Sequence, residues 1–137
     1  MLVAEIPFNR LLGLRPEGSA VTLPEDPKCL NHLGTVHAGA QYSLAEAASG
    51  QWLLARFAQA ADDFAAVVRR AEVKYRRPAA GDLTATADAA PDEVERFIST
   101  LERRGRGAIE VHVRVLARDQ GVTLEATFEW FAQRLGR

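Results

Sequence analysis

The chain has 137 residues, 47% of them hydrophobic and 26% charged, which is typical of one soluble globular domain spanning residues 1–137. Seventeen basic and eighteen acidic residues give a formal net charge of −1, which disfavours a nucleic-acid-binding or membrane-surface protein. The single Cys29 excludes an internal disulfide, and no group of Cys and His has zinc-ligand spacing. The N-terminal segment has no basic stretch ahead of an apolar run. We therefore expect a cytoplasmic protein without a signal peptide, a membrane span or a metal site.

The first quarter of the chain predicts short elements. The segment PFNRLLGL favours a helical turn and SAVTL a first strand, while the two prolines of PEDPKC indicate a turn. Residues 30–37 then read as a loop or short strand.

A long helix is predicted from Ala38 to about Ala61. The segment contains no proline, is rich in alanine, and repeats apolar residues at helical spacing, namely Ala45, Ala48, Trp52 and Ala55. Because its apolar surface runs nearly all round, the helix must be buried.

The remainder predicts four strands and one short helix. Alternation marks strands around residues 72–76 and 83–87, and two long strands at 108–118 and 122–132 are joined by the hairpin signal RDQGV. An amphipathic helix over 91–104 lies between the second and third of them. One buried helix and a run of antiparallel strands predict an α+β domain in which a curled sheet wraps the helix.

Two phrases carry a resemblance to a known family. The segment NHLGTVHAGAQYSLAE places Asn31, His37 and Gly39 ahead of Glu46, and VKYRRPAAGDLTATA follows the helix. The pattern resembles the hotdog-fold acyl-CoA thioesterases of the phenylacetate-pathway and thioesterase-superfamily-member-2 type, within the 4-hydroxybenzoyl-CoA thioesterase superfamily. Their pattern is Asn, five residues, His-Gly-Gly, then Asp or Glu on the central helix. The match runs from about residue 21 to residue 131.

The resemblance implies hydrolysis of an acyl-CoA thioester, with coenzyme A as part of the substrate and no other cofactor. It gives Glu46 the role of nucleophile or general base, and it gives the backbone N–H of Ala38 the role of polarising the thioester carbonyl. Asn31 matches a side chain that holds the attacking water or the carboxylate. Two positions depart from the family: Ala38 replaces the usual Gly, and Val68 lies where some relatives have Ser or Thr.

Helix geometry adds a prediction about assembly. Ala38 and Glu46 are eight residues apart, about 12 Å along a helix, so one carbonyl cannot reach both groups of the same chain. The catalytic hypothesis therefore predicts a homodimer with two composite sites, with a dimer of dimers, a homotetramer, as an open possibility. His37 and Glu46 project from opposite sides of the helix, which favours a positioning role for His37.

Structural interpretations stand beside the catalytic ones. Glu46 could be a buried carboxylate paired with Arg56 or Arg69, since an unpaired buried charge is costly. Asn31 could be a turn former. His37 could be a helix-start residue hydrogen-bonded to the backbone.

Four further residues are candidates for binding substrate. Arg76 and Arg77 lie where the resemblance suggests that coenzyme A approaches, although an ordinary solvated face also accounts for each of them. Tyr42 and Trp52 are candidates for lining an acyl tunnel.

Two other functions stay open. One is a non-catalytic acyl-CoA-binding or regulatory module that kept the pocket and lost turnover. The other is hydration or dehydration of an acyl thioester, in which His37 and an acid would converge from two chains.

Overall fold

The computed structural model of the chain describes residues 3–136. Its α-helices are α1 (Pro7–Leu12), α2 (Ala38–Arg56) and α3 (Pro91–Arg104). Its strands are β1 (Arg15–Glu17), β2 (Ala20–Leu23), β3 (Phe64–Tyr75), β4 (Leu83–Asp88), β5 (Arg106–Leu116) and β6 (Val122–Arg134). No helix within residues 3–136 is long and apolar enough to span a membrane.

The strands form one antiparallel sheet in the order β1-β2-β4-β5-β6-β3, curled around α2. This confirms the predicted α+β class with a central helix wrapped by a sheet. Strand β3 follows α2 along the chain but pairs with β6, so it forms one edge of the sheet. The other edge is β1, whose three residues are all exposed and lack the alternation that would have predicted a strand.

Helix α2 fills the concave side of the sheet. Leu44, Ala45 and Ala48 are fully buried, and the small side chains of the two alanines let the strands approach the helix closely. The predicted helix end near Ala61 is wrong, because Phe57 leaves helical geometry with φ −119° and ψ 28° and a 3₁₀ helix follows over Ala58–Asp63. The expected burial of Ala55 is also wrong, since the sheet does not cover that face and the residue is exposed.

Strand β5 has the burial pattern that its alternating sequence predicted. In β5 the side chains of Ile109, Val111, Val113 and Val115 are buried and their neighbours 110, 112 and 114 are exposed, as predicted. Strand β3 differs, because most of its residues on both faces are exposed.

Along the chain, helix α3 lies between β4 and β5. It ends at Arg104 and is followed by Gly105, whose φ of 68° fits the left-handed position after a helix. Its Val94 and Phe97 are buried, which confirms the predicted apolar face, while Ile98 at the margin of that face is 39% exposed.

Candidate active site

The first turn of α2 leaves one backbone donor free. His37 is the N-cap, and its Nδ1 accepts the Gly39 N–H at 2.8 Å. The N–H groups of Ala40 and Gln41 donate to the His37 carbonyl at 3.0 and 3.1 Å. Within residues 3–136 the N–H of Ala38 has no acceptor, and the residue is exposed. The positive end of the helix therefore presents the Ala38 N–H to solvent, where a developing negative charge would be stabilised.

Two small residues make this arrangement possible. A Cβ added at Gly39 would lie 3.0 Å from Nδ1 of His37, so the glycine leaves room for the capping ring. Ala38 has ordinary helical geometry, since Gln120 is the one non-glycine residue with positive φ in the described chain. Replacing the family's usual Gly by Ala38 therefore introduces no backbone strain.

The loop before α2 is held by Asn31. Its Oδ1 accepts the N–H groups of Leu33 and Thr35 at 2.9 and 3.1 Å, and its Nδ2 donates to Oγ1 of Thr35 at 2.8 Å. These contacts favour the turn-forming interpretation of Asn31 and leave its role toward a water as a prediction. They also fix the direction in which the chain enters His37, whose N–H donates to the Cys29 carbonyl at 2.7 Å.

Glu46 lies two turns into α2, half-buried, on the helix stripe that also carries Tyr42 and Gly50. This stripe faces β6, since the Tyr42 ring packs edge to face on Phe128 with centroids 5.5 Å apart, and Gly50 lies against Trp130. Burial raises the pKa of the Glu46 carboxyl above its ordinary value. A carboxyl with a raised pKa suits proton transfer near neutral pH.

The two cations that could have neutralised Glu46 have other partners. The Arg69 Nε lies 2.7 Å from Oε1 of Glu129, and the Arg56 guanidinium lies over the Trp52 ring, 5.5 Å from its centroid. No ion pair forms between Glu46 and a basic side chain among residues 3–136. The interpretation of Glu46 as one half of a structural ion pair is therefore wrong.

Tyr75 joins the site, although the sequence had indicated it only as a strand residue. It ends β3, and its hydroxyl donates to the Ala38 carbonyl at 3.1 Å, which ties the sheet edge to the first turn of α2. Burial raises the pKa of Tyr42, and the negative charges of Glu46 and Tyr75 raise it further. Tyr42, Glu46 and Tyr75 therefore lie close together. The available signal was the position of Tyr75 inside the family-like phrase VKYRRPA.

The predicted coenzyme-binding arginines are both in ion pairs. Nε of Arg76 lies 3.0 Å from Oε2 of Glu125, and Arg77 pairs with Asp119 in the β5–β6 hairpin. Each side chain is well exposed and could exchange its carboxylate for a phosphate, so their role stays a prediction. Within residues 3–136 no group of three or more His, Cys, Asp or Glu side chains could hold a metal ion.

A family model described as "Domain of unknown function (DUF4442)" matches residues 9–132, which is most of the chain. The chain belongs to the DUF4442 family. A comparison of this DUF4442 chain with curated proteins finds no match.

Solved structures resemble the DUF4442 chain over nearly its whole length. A protein of unknown function from Pseudomonas aeruginosa, PA5026, described as a probable thioesterase, is 24% identical with a TM-score of 0.84, over 97% of this chain and 91% of its own. The Bacillus halodurans protein BH2602, solved with CoA, is 22% identical with a TM-score of 0.72, over 91% and 74%. The E. coli PaaI protein from the phenylacetic acid degradation operon is 20% identical with a TM-score of 0.68, over 96% and 86%. These likenesses confirm the hotdog fold.

Proposed function

We propose that the protein hydrolyses an acyl-CoA thioester to the free acid and coenzyme A. The observation that carries the proposal is Glu46, a half-buried carboxylate with a raised pKa and no cationic partner in the described chain. Keeping a carboxylate desolvated and unpaired destabilises a fold, so a chemical role accounts for it better than a structural one.

The chemistry needs one proton acceptor and one oxyanion donor. A water gives its proton to Glu46 as its oxygen bonds to the thioester carbon, and the carbonyl oxygen becomes an anion that accepts the free N–H of Ala38. The carbon–sulfur bond then breaks, and the proton moves from Glu46 to the departing sulfur. A direct attack by Glu46, giving an anhydride that water opens, uses the same two groups.

The two groups are proposed to come from two subunits of a homodimer. Eight residues separate Ala38 from Glu46, about 12 Å along α2, which is too far for one carbonyl. The two edges of the sheet favour β3 as the pairing strand. Edge β1 has three residues, whereas β3 has twelve, most of them exposed, including Val67 at 59%. A long open edge is a template for a second strand, and its last residue, Tyr75, already contacts the start of α2.

The similar proteins support this reading at the level of the superfamily. One is described as a probable thioesterase, another was solved with CoA, and a third belongs to a phenylacetic acid degradation operon. We extend to the present chain the binding of a coenzyme A thioester, and we retain Asn31, Arg76 and Arg77 as predicted contributors.

Thiol release from a panel of aliphatic and aromatic acyl-CoAs tests the proposal. Glu46→Gln keeps the shape of the side chain but cannot accept a proton, so kcat should fall by about 100-fold or more. Glu95→Gln, the same change on the exposed face of α3, is the matched control and should leave kcat unchanged.

Two results would contradict hydrolysis by Glu46. Equal turnover in wild type and Glu46→Gln would remove the carboxylate from the mechanism. Binding of coenzyme A ligands without turnover in either protein would favour the binding module instead.

A further inference from the structure

An apolar cavity of about 220 Å³ opens beside the second half of α2. Gly50 and Leu54 of α2, Phe64 of β3, Trp130 of β6, and Phe97 and Leu101 of α3 contribute to its walls. Apart from Gly50, every lining residue has an apolar or aromatic side chain. Neither Tyr42 nor Trp52 lines it. Tyr42 lies on the same helix stripe as Gly50 but two turns nearer the start of α2, and Trp52 lies on a different side of the helix. A cavity of this composition is suited to a hydrocarbon group and offers no partner to a charged one.

Gly50 forms the end of the cavity nearest to Glu46. It is four residues further along the same helix stripe, about 6 Å away. A glycine inside a helix costs about 1 kcal/mol relative to alanine, so its presence calls for a packing reason. Here a Cβ would lie 3.3 Å from Cζ2 of Trp130 and 3.5 Å from Cγ1 of Val3, so the missing side chain leaves room for the indole.

The Trp130 wall is held in place by hydrogen bonds. Its Nε1 donates to Oγ of Ser49 at 2.8 Å, and that hydroxyl donates to the Glu46 carbonyl at 2.6 Å. The only polar atom of the indole is therefore satisfied and turned away from the cavity. The same serine links the wall to the backbone of the candidate catalytic residue.

Helix α3 supplies a further part of the cavity wall. The Phe97 ring packs edge to face on Phe57 at the end of α2, with centroids 5.4 Å apart, and Leu101 lies one turn further along α3. Gly50 and Phe57 both line the cavity and are seven residues apart, about 10 Å at the helical rise, so its walls follow the last two turns of α2.

We infer that this cavity binds the tail of a medium-length, unbranched aliphatic acyl group, and that α3 sets the length it accepts. The inference rests on the proposed function, which puts the thioester carbon at Glu46. The volume of about 220 Å³ holds about seven groups the size of a water molecule or a methylene. About seven carbons of the acyl tail therefore lie inside the cavity, counted from the carbon that enters it beside Gly50.

Binding of S-alkyl coenzyme A thioethers tests this inference without any need for turnover, because they lack the carbonyl. Calorimetric titration of the wild type with S-ethyl to S-dodecyl derivatives should show affinity rising about 4-fold for each methylene that enters the cavity and levelling once about seven of them fill it. Leu101→Trp should fill the cavity, so the affinity gain should end at a shorter chain. Leu101→Ala should enlarge it, so the gain should continue to longer chains.

Ile98→Ala is the matched control, because Ile98 lies on the same helix but outside the cavity. It should give the wild-type chain-length profile. A flat profile in the wild type, no binding of any thioether, or identical profiles for Leu101→Ala and Ile98→Ala would overturn the inference. If affinity depends on chain length but the protein turns over no acyl-CoA, tail binding in the cavity is supported and hydrolysis is refuted. If turnover occurs but does not depend on chain length, hydrolysis is supported and tail binding in the cavity is refuted.

Discussion

The two halves of α2 differ in the groups that they present. The first half, from Ala38 to Glu46, carries a free backbone donor, a capped first turn and a half-buried carboxylate. Among residues 3–136, the one fully buried side-chain hydrogen bond of this half is that in which Oγ1 of Thr123 donates to Oε1 of Gln41 at 3.0 Å. The second half presents Gly50 and Leu54 to an apolar cavity.

The difference teaches how one rigid element can combine reactivity with selection. A helix rises by a fixed amount per residue, so the distance between the carboxylate and the cavity cannot vary. If a carbonyl binds beside Glu46, the attached acyl tail extends into the cavity that begins at Gly50, and its length must fit that cavity. Changes in the first half should therefore alter kcat, and changes beside the second half should alter the preferred chain length.

The largest effect is expected at the first residue of α2. Ala38→Pro removes the one free N–H, and proline fits the first position of a helix. The preceding His37 has φ −58° and ψ 137°, values that a residue before proline readily adopts. We expect kcat to fall about 100-fold to 1,000-fold, since an oxyanion donor is lost, with the circular dichroism spectrum unchanged.

Ala38→Ser is the control for this change, because it keeps the N–H and alters only the side chain. It should retain near-wild-type turnover. An active Ala38→Pro variant would show that the oxyanion is stabilised elsewhere and that the two halves of α2 do not divide chemistry from selection.

A smaller effect is expected when defects in the two groups are placed on different chains. Glu46→Gln and Ala38→Pro subunits, co-expressed with different tags and purified as heterodimers, would contain one site with both defects and one intact site. Turnover per dimer should recover to about half of the wild-type value, because in the proposed dimer the groups of each site come from opposite subunits.

A heterodimer of wild-type and Glu46→Gln subunits gives the reference value, also about half. If the heterodimer of Glu46→Gln and Ala38→Pro subunits shows no recovery, each chain uses its own Ala38 and Glu46. The proposal of a composite site would then have to be abandoned, together with the argument from the spacing of the two residues along α2.

The smallest effect is on stability and depends on pH. Burial raises the pKa of Glu46, so the folded protein binds this proton more readily than the unfolded chain. The stabilisation that this proton gives to the folded state is fully present below the pKa that Glu46 has in the unfolded chain. It is lost as pH rises through the pKa of Glu46 in the folded protein. Glu46→Gln carries no charge to desolvate, so at neutral and higher pH its Tm should exceed that of the wild type.

Thermal unfolding of both proteins from pH 4 to pH 9 measures this difference. The gap should close toward pH 4, where Glu46 of the wild type is protonated. A constant gap at all pH values, or a lower Tm in Glu46→Gln, would mean that the carboxylate is stabilised by a contact in the folded state.

Local sequence patterns predicted much of the fold. Alternation located β5 and β6, and the capping signals located α3, because each pattern depends on residues that are neighbours along the chain. The three-residue β1 escaped detection because it has no buried side to leave a pattern. The end of α2 was misplaced because alanines favour a helix beyond Phe57, whereas Phe57 leaves helical geometry and packs on Phe97 of α3.

For the site, the sequence determined the residue types and their spacing: a histidine and a glycine at the start of a helix, and a glutamate two turns later. Those features depend on local geometry, which the chain order fixes. Only the tertiary structure decided that Arg69 and Arg56 have other partners, that Tyr75 contacts the first turn of α2, and that Gly50, Trp130 and α3 enclose a cavity. These contacts join residues far apart in the chain, and no local pattern records which faces the curled sheet brings together.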